Sequence, residues 1–504
     1  MSFPRLSAED AAALVPSEGL IGISGFARAG SAKAVPRALA KIAGASRDAG
    51  NPYRLRIISG ASTGPDADDS LAEAGAIAWR APYQSSPILR KQINAGQTDF
   101  VDFHLSRVPE FLSGGCLGPL KLAIVEASEI TESGRVFLTS SVGVSPSLLQ
   151  CAEKVIVELN RYHPPAASAM ADIALLPFPQ RRHPVEVRTP RVRIGTTYVE
   201  VDPRKIVAVV ETNAPDDVLP FTAPDWCSRA IASNVIRFLL EEKRAGRIPP
   251  EFLPLQSGVG NVANAVMRGL GDNSEIPSFE MYTEVLQDAV VDLIREGRCK
   301  GASTSSLTVT TPYLKQIYDD LPFFTPRIVL RPQEISNHPG IVRQLGIIAM
   351  NTALEADLYG HVNSTHVCGT QMMNGIGGSS DFAQNAHISI FMCPSVAKGG
   401  RISAIVPMCS HVDHSEHSVD VLVTEQGLAD LRGLSPIERA KRVIACCAHP
   451  AYRDFLSKYL HDGRSGHIRH DLKSAFQLHE NLLSSGAMLP RLDFSSFGKD
   501  CSGT

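Results

Sequence analysis

The stretch LIGISGFARAGSAKAVPRALAKIA, residues 20–43, changes pattern twice. Leu20 to Ser24 is a short apolar run of the kind a buried strand uses. Gly25 to Gly30 is a glycine-containing turn, and Ala32 to Ala43 is rich in the helix formers Ala and Lys. Strand, small-residue turn and helix in that order open an α/β unit. Further apolar runs follow at Leu55 to Ile58, Leu122 to Val125, Val136 to Thr139 and Val155 to Leu159, most of them separated by helix-like or turn-like sequence. Parallel strands need such crossovers, so the sheets are predicted to be largely parallel.

Composition shifts at NAPDDVLPFTAP, residues 213–224, which packs three prolines into a short connection. The boundary placed there gives domains of residues 1–218 and 219–504. The second half restarts with a predicted helix from Asp225 to Arg244. A Pro-rich approach (Pro249, Pro250, Pro254) then leads to SGVGNVANAV, residues 257–266, which echoes SGFARAGSAKAV, residues 24–35. The echo reads either as two related α/β domains or as a chance likeness of two glycine turns. From Ser435 onward the pattern is helical, with Pro436 and Pro450 near helix starts, and the polar stretch after Leu489 reads as a loose tail. The expected fold is two related open α/β domains with largely parallel sheets and a helical C-terminal extension.

A chain of 504 residues exceeds one ordinary core, and 44% hydrophobic with 20% charged residues is a globular balance. Lys plus Arg total 49 against 52 Asp plus Glu, so no basic field attracts nucleic acid. The N-terminus lacks a basic start followed by an apolar stretch, and runs such as Ile206 to Val210 fall far short of the roughly 20 residues of a membrane helix. Ten scattered cysteines without a C-x-x-C pair suit reduced thiols. A soluble, cytoplasmic protein with no membrane or nucleic-acid partner is expected.

Several clusters could carry chemistry. Gly258 to Ala263 matches G-x-G-x-x-A, with Glu280 or Glu284 about twenty residues on, as a dinucleotide site prefers. The prolines upstream argue against the clean buried strand that site needs. What survives is narrower: glycines admit a ligand to backbone N–H groups, and a following helix favours an anionic one. Asn374 to Asp381 is a second glycine cluster, either a plain turn or a nest of N–H donors. His411, His414 and His417, with Asp413 and Glu416 among them, have spacing that puts no three ligands on one face of a helix or strand, so they read as loop histidines bonded to carboxylates rather than metal ligands. Glu284 follows a predicted strand, Phe279 to Tyr282, and precedes a helical pattern from Val285 to Arg295. It reads either as a charge that complements a helix dipole or as a nucleophile.

Taken in order and spacing, LQSGVGNVANAV, MYTEVLQD, RPQEISN, MNGIGGSSDF, RISAIVP and TEQGLADLRGLSP resemble the acetyl-CoA hydrolase/transferase family of class I CoA transferases, over a span from about Gly25 to Met488. RAPYQSS, IPPEFLPLQSG, MCSHVDHSEHSV and CAHPAYRDFL look most like the branch that joins propionyl-CoA and succinate. The resemblance implies transfer of CoA from an acyl-CoA to a small carboxylic acid by a ping-pong route through a glutamyl-CoA thioester on Glu284. Succinyl-CoA-to-acetate transfer and acetyl-CoA hydrolysis are the alternatives, with a dinucleotide oxidoreductase or a non-catalytic binder further off.

The resemblance also implies that the N–H groups of Val259 and Gly378 stabilise oxyanions, that Asn337 orients the glutamyl group, and that Glu425 occupies an active-site position. Read alone, Asn337 is a turn residue before Pro339 and Glu425 a helix cap. CoA is the implied substrate, contacted by Gly258, Val259, Gly260, Asn261, Val262, Leu354, Asn374, Gly378 and Lys398; read alone, Lys398 is a solvated surface lysine. Ser62 and Asn213 are implied in the acid pocket. A homodimer with an active site between its domains, without prosthetic group or metal, completes the expectation.

Overall fold

A computed structural model describes residues 3–177, 183–220, 223–491 and 494 of the chain. The chain forms two compact units that interleave in sequence. The first takes residues up to Pro220, Glu280–Leu345 and Asn374–Asp381; the second takes the segments between them and the C-terminal part. The segment carrying Glu284, assigned from sequence to the second domain, therefore folds with the first unit. It is held there by bridges from Ser306 to Ser141, from Pro332 to Gly143 and from Leu330 to Ala171.

The first unit contains a seven-stranded parallel sheet in the order Ile206–Thr212, Lys154–Asn160, Leu120–Ala127, Glu18–Ile23, Arg54–Ile58, Ile77–Ala81, Asp99–Phe100. Strand order runs outward from Glu18–Ile23 in one direction, then restarts beside it in the other. The turn after this strand, Ser24 to Gly30, is thus at the topological switch point, where open α/β sheets place ligands. The helix that follows runs Ala34–Asp48. It starts two residues later than predicted, because the carboxylate of Glu158 accepts the N–H groups of Lys33, Ala34 and Val35 at 2.9, 3.1 and 2.7 Å and so defines its first turn. Near Val136, only Arg135–Phe137 is extended. It pairs antiparallel with Glu129–Ile130 and Val199–Glu200 outside the main sheet, because a tight turn at Gly134 folds it back. Strands Phe279–Tyr282, Cys299–Thr304 and Ile328–Leu330 also lie side by side.

In the second unit, Leu255–Ser257, Ile348–Thr352, Ile388–Met392 and Val421–Thr424 are parallel neighbours in that order, closed by the antiparallel edge strand Gly427–Asp430. The short strand Leu255–Ser257 is buried despite the prolines, all of which precede it and remove no ladder donor from it. The helix Trp226–Arg244 begins one residue after its predicted start, because Asp225 is its cap and its carboxylate accepts the Ser228 N–H at 2.7 Å. Helices Pro436–Cys446, Pro450–Asp462 and Gln477–Ser485 pack through Val443, Tyr452, Leu456 and Leu478 onto Phe391 and Leu422. The predicted tail after Leu489 lies mostly outside the described residues. Among the described residues no helix is long and apolar enough to cross a membrane.

Candidate active site

Glu284 stands just past the end of strand Phe279–Tyr282. The predicted helix begins only at Asp288, because Val285–Leu286 first pairs with Ser306–Leu307. The Glu284 backbone is pinned: its carbonyl accepts the Ser305 N–H at 3.0 Å and the Thr304 hydroxyl at 2.9 Å. Its side chain is partly buried and meets two donors. Asn337 Nδ2 donates to Oε2 at 3.0 Å, and the Gly378 N–H donates to the same carboxylate. Burial pushes this carboxyl up to about 7, the nearby Asp381 adds to the rise, and the two donors oppose it.

Asn337 is fully buried at the C-terminus of the short helix Gln333–Ser336, with its own N–H on the Gln333 carbonyl at 2.9 Å. Gly378 has no room for a side chain. A Cβ there would stand 1.5 Å from Glu284 Oε2 and 2.4 Å from Asn337 Nδ2. Gly377 before it has φ 61°, a left-handed conformation that glycine adopts without strain. Asn374 lies in the same loop, its Nδ2 on the Gly375 carbonyl at 2.8 Å. Sequence reasoning gave no role to Tyr83, whose phenol is pushed up to about 12 by burial and by the Glu284 charge, or to Asp381, although both lie in quoted motifs.

Most of the other predicted residues are in the second unit, and strand order brings them to one edge. Gly258, Leu354, Lys398 and Glu425 each follow the carboxyl end of one of the four parallel neighbours. Val259 and Leu354 are apolar yet 48% and 39% exposed. Gly260 precedes the helix Asn261–Asp272, whose first residues are Asn261 and Val262. Lys398 is exposed at the tip of a hairpin formed by Val396–Ala397 and Ile402–Ser403. Glu425 caps no helix. Its carboxylate accepts the N–H of Ser395 at 2.8 Å, the Ser395 hydroxyl, and Gln426 Nε2 at 2.9 Å, which fixes the approach to that hairpin.

Ser62 is buried after strand Arg54–Ile58, and Asn213 is exposed after strand Ile206–Thr212. The three histidines diverge. His411 pairs with Asp413 at 3.2 Å, His417 is exposed beside Glu416 at 3.8 Å, and His414 is buried against the Phe391 ring at 4.6 Å. Among the described residues the one grouping with metal-ligand spacing is Glu126, His163 and Asp216. Lys33 Nζ already sits on Glu126 at 2.6 Å and Asp216 at 3.2 Å, in the place a cation would take.

Residues 2–211 match the acetyl-CoA hydrolase/transferase N-terminal domain, and residues 314–460 match its C-terminal domain. The chain is 54% identical over 485 residues to propanoyl-CoA:succinate CoA transferase of Escherichia coli (strain K12), covering 96% of this chain and 99% of that protein. It is 44% identical to succinyl-CoA:acetate CoA-transferase of Clostridium kluyveri, covering 96% of this chain and 90% of that protein. The crystal structure of RipA from Yersinia pestis superposes with a TM-score of 0.69 at 24% identity, over 90% of this chain and 96% of that one, a likeness of fold. With both domains matched and such identity along nearly its whole length, the chain belongs to the acetyl-CoA hydrolase/transferase family.

Proposed function

We propose that the chain transfers CoA from propionyl-CoA to succinate through a thioester on Glu284. The observation that carries this reading is the Glu284 carboxylate, held at a strand end by the Asn337 amide and the Gly378 N–H with its pKa near neutrality. An ionised carboxylate there attacks the thioester carbonyl, and the CoA thiolate leaves as a mixed anhydride forms. The thiolate then attacks the glutamyl carbonyl and expels propionate, leaving glutamyl-CoA. Succinate reverses both steps, so one thioester is exchanged for another and neither ATP nor metal is consumed. The Gly378 and Val259 N–H groups are the donors proposed for the two oxyanions. Asn337 orients the glutamyl group.

CoA is a substrate in this reading. Gly258 to Val262, Leu354 and Asn374 line its path, and the Lys398 ammonium faces a CoA phosphate. The glycine turn is then a CoA contact rather than a dinucleotide site. Glu425 sets the hairpin that presents Lys398, while Ser62 and Asn213 belong to the acid pocket. The substrate pair is that of the Escherichia coli relative. We also infer a cytoplasmic homodimer, in keeping with the free thiols of the described cysteines.

The test is incubation with propionyl-CoA in the absence of acceptor, followed by borohydride reduction and peptide mass mapping. Conversion of Glu284 alone to its primary alcohol, with CoA freed by the reduction, is the expected result, and succinate added in place of borohydride releases succinyl-CoA. An adduct on another acid, or full transfer by Glu284→Ala, overturns the assignment. Turnover independent of any added acid assigns hydrolysis instead, with water taking the place of succinate.

A further inference from the structure

The Gly378 N–H must be held to a fraction of an ångström to meet Glu284, yet it sits in a loop containing Gly375, Gly377 and Gly378, which has little stiffness of its own. The loop is fastened from outside. Asp102 Oδ2 accepts the Ile376 N–H at 2.7 Å, and Asp102 Oδ1 would lie 3.0 Å from a Cβ on Gly375, so the two segments run flush. Beyond Gly378, the buried Asp381 carboxylate accepts the Ser106 N–H at 3.1 Å and the Ser106 hydroxyl at 2.7 Å, with His104 Nδ1 at 3.5 Å. Both fastenings end on the same short segment, Asp102 to Ser106, one on each side of Gly378.

That segment also references the other two members of the site. Leu105 is fully buried in an apolar cluster with Phe26, Ala61 and Val285, the residue after Glu284. The Leu105 carbonyl accepts Gln333 Nε2 at 2.8 Å, and the Gln333 carbonyl in turn accepts the Asn337 N–H. One stretch of backbone therefore gauges Glu284, Asn337 and Gly378 against each other.

We propose that Asp102 and Asp381 are positioning residues that clamp the glycine loop to the Asp102–Ser106 segment and so place the Gly378 donor for the covalent step. Asp381 adds a second effect through its charge. Glu284 faces Asn337, Gly378, Asp381 and Tyr83; Asp381 faces His104 and Ser106; Tyr83 has Arg90 and Asp102 nearby, and His104 has Asp102 and Arg107. Removing the Asp381 charge lets Glu284 ionise at lower pH.

This inference rests on Glu284 being the nucleophile, and the experiment separates the two. Single-turnover formation of the adduct from propionyl-CoA is followed against pH in the wild-type protein and in Ser106→Ala, Asp102→Ala, Asp102→Asn and Asp381→Asn. Ser106→Ala and Asp102→Ala are expected to form the adduct at least about tenfold more slowly with little change in the constant for propionyl-CoA, because misplacement of a donor costs rate rather than binding. Asp102→Asn keeps an acceptor for Ile376 and recovers most of the rate. Asp381→Asn keeps an acceptor for Ser106 and moves the midpoint of the pH–rate curve to lower pH. Wild-type rates in both Ser106→Ala and Asp102→Ala overturn the clamp, and an unmoved midpoint in Asp381→Asn overturns the charge effect of Asp381; either result leaves the nucleophile standing. Absence of any adduct in the wild-type protein overturns the nucleophile, and the clamp with it.

Discussion

Glu284 is a carboxylic acid whose burial works against its ionised form, while two donors hold that form in place. With its pKa raised from 4.5 to about 7, the group needs a pH above neutrality to be fully ionised, as the proposed nucleophile must be. The rate of adduct formation should therefore climb with pH through a midpoint near 7, and a flat profile between about pH 5 and 8 would contradict this. The same shift has a consequence for stability. The folded protein binds this proton more tightly than the unfolded chain, so the site's contribution is fully present below about 4.5 and is lost as the pH rises through about 7. Glu284→Gln keeps the shape and removes the charge. It should abolish transfer yet raise the unfolding free energy at pH 8 by on the order of 1–2 kcal/mol in chemical denaturation, with little gain at pH 5. An equal gain at both pH values would show that ionisation is not the cause.

At the scale of elements, the residues proposed for the chemistry lie at strand ends. Glu284 follows strand Phe279–Tyr282, and Gly258, Leu354, Lys398 and Glu425 follow four neighbours of the second unit. Strand ends place residues in register, but the glycine loop is placed by its contacts alone. Gly378→Ala puts a methyl into the space of the Glu284 carboxylate, since the Cβ would lie 1.5 Å from Oε2. The loop or the carboxylate must move, and transfer should fall by roughly a hundredfold or more, with Tm changed by only a few degrees. Retention of more than about a tenth of wild-type transfer would remove the Gly378 N–H from the proposed mechanism.

The molecule as a whole also depends on charges that never reach solvent. Lys33 is almost fully buried between Glu126 and Asp216, and His163 stands 3.3 Å from Glu126. Burial opposes every one of these charges. Their mutual attraction prevails, holding Lys33 above its ordinary range and Glu126 below its own. Asp216 also accepts the Gly30 N–H and the Ser140 hydroxyl, so the cluster ties the switch-point turn to the end of the Val136 region. Lys33→Met removes the cation and leaves two buried carboxylates facing each other. The expected loss is about 3–5 kcal/mol in chemical denaturation. A loss below about 1 kcal/mol would mean that the carboxylates take up protons or water at little cost.

The features that the sequence by itself determined are those governed by neighbours a few residues apart. Alternation of apolar runs with helical patterns specifies α/β units, Asp225 starts its helix by a hydrogen bond three residues on, and Pro436 and Pro450 open theirs through a fixed φ. The resemblance singled out Glu284, Asn337 and Gly378, but residue types alone left Glu284 one acid among many. Only the tertiary structure decided that Asn337, 53 residues along the chain, donates to Glu284, and that the loop containing Gly378 folds back with the first unit. The same holds for Lys33, which meets partners 93 and 183 residues away, and for Asp102 and Asp381, whose partners Ile376 and Ser106 lie 274 and 275 residues away. Local spacing encodes backbone hydrogen bonding and capping, which are settled within one or two turns of chain. Convergence of distant side chains depends on strand order and crossover packing, to which many segments contribute at once.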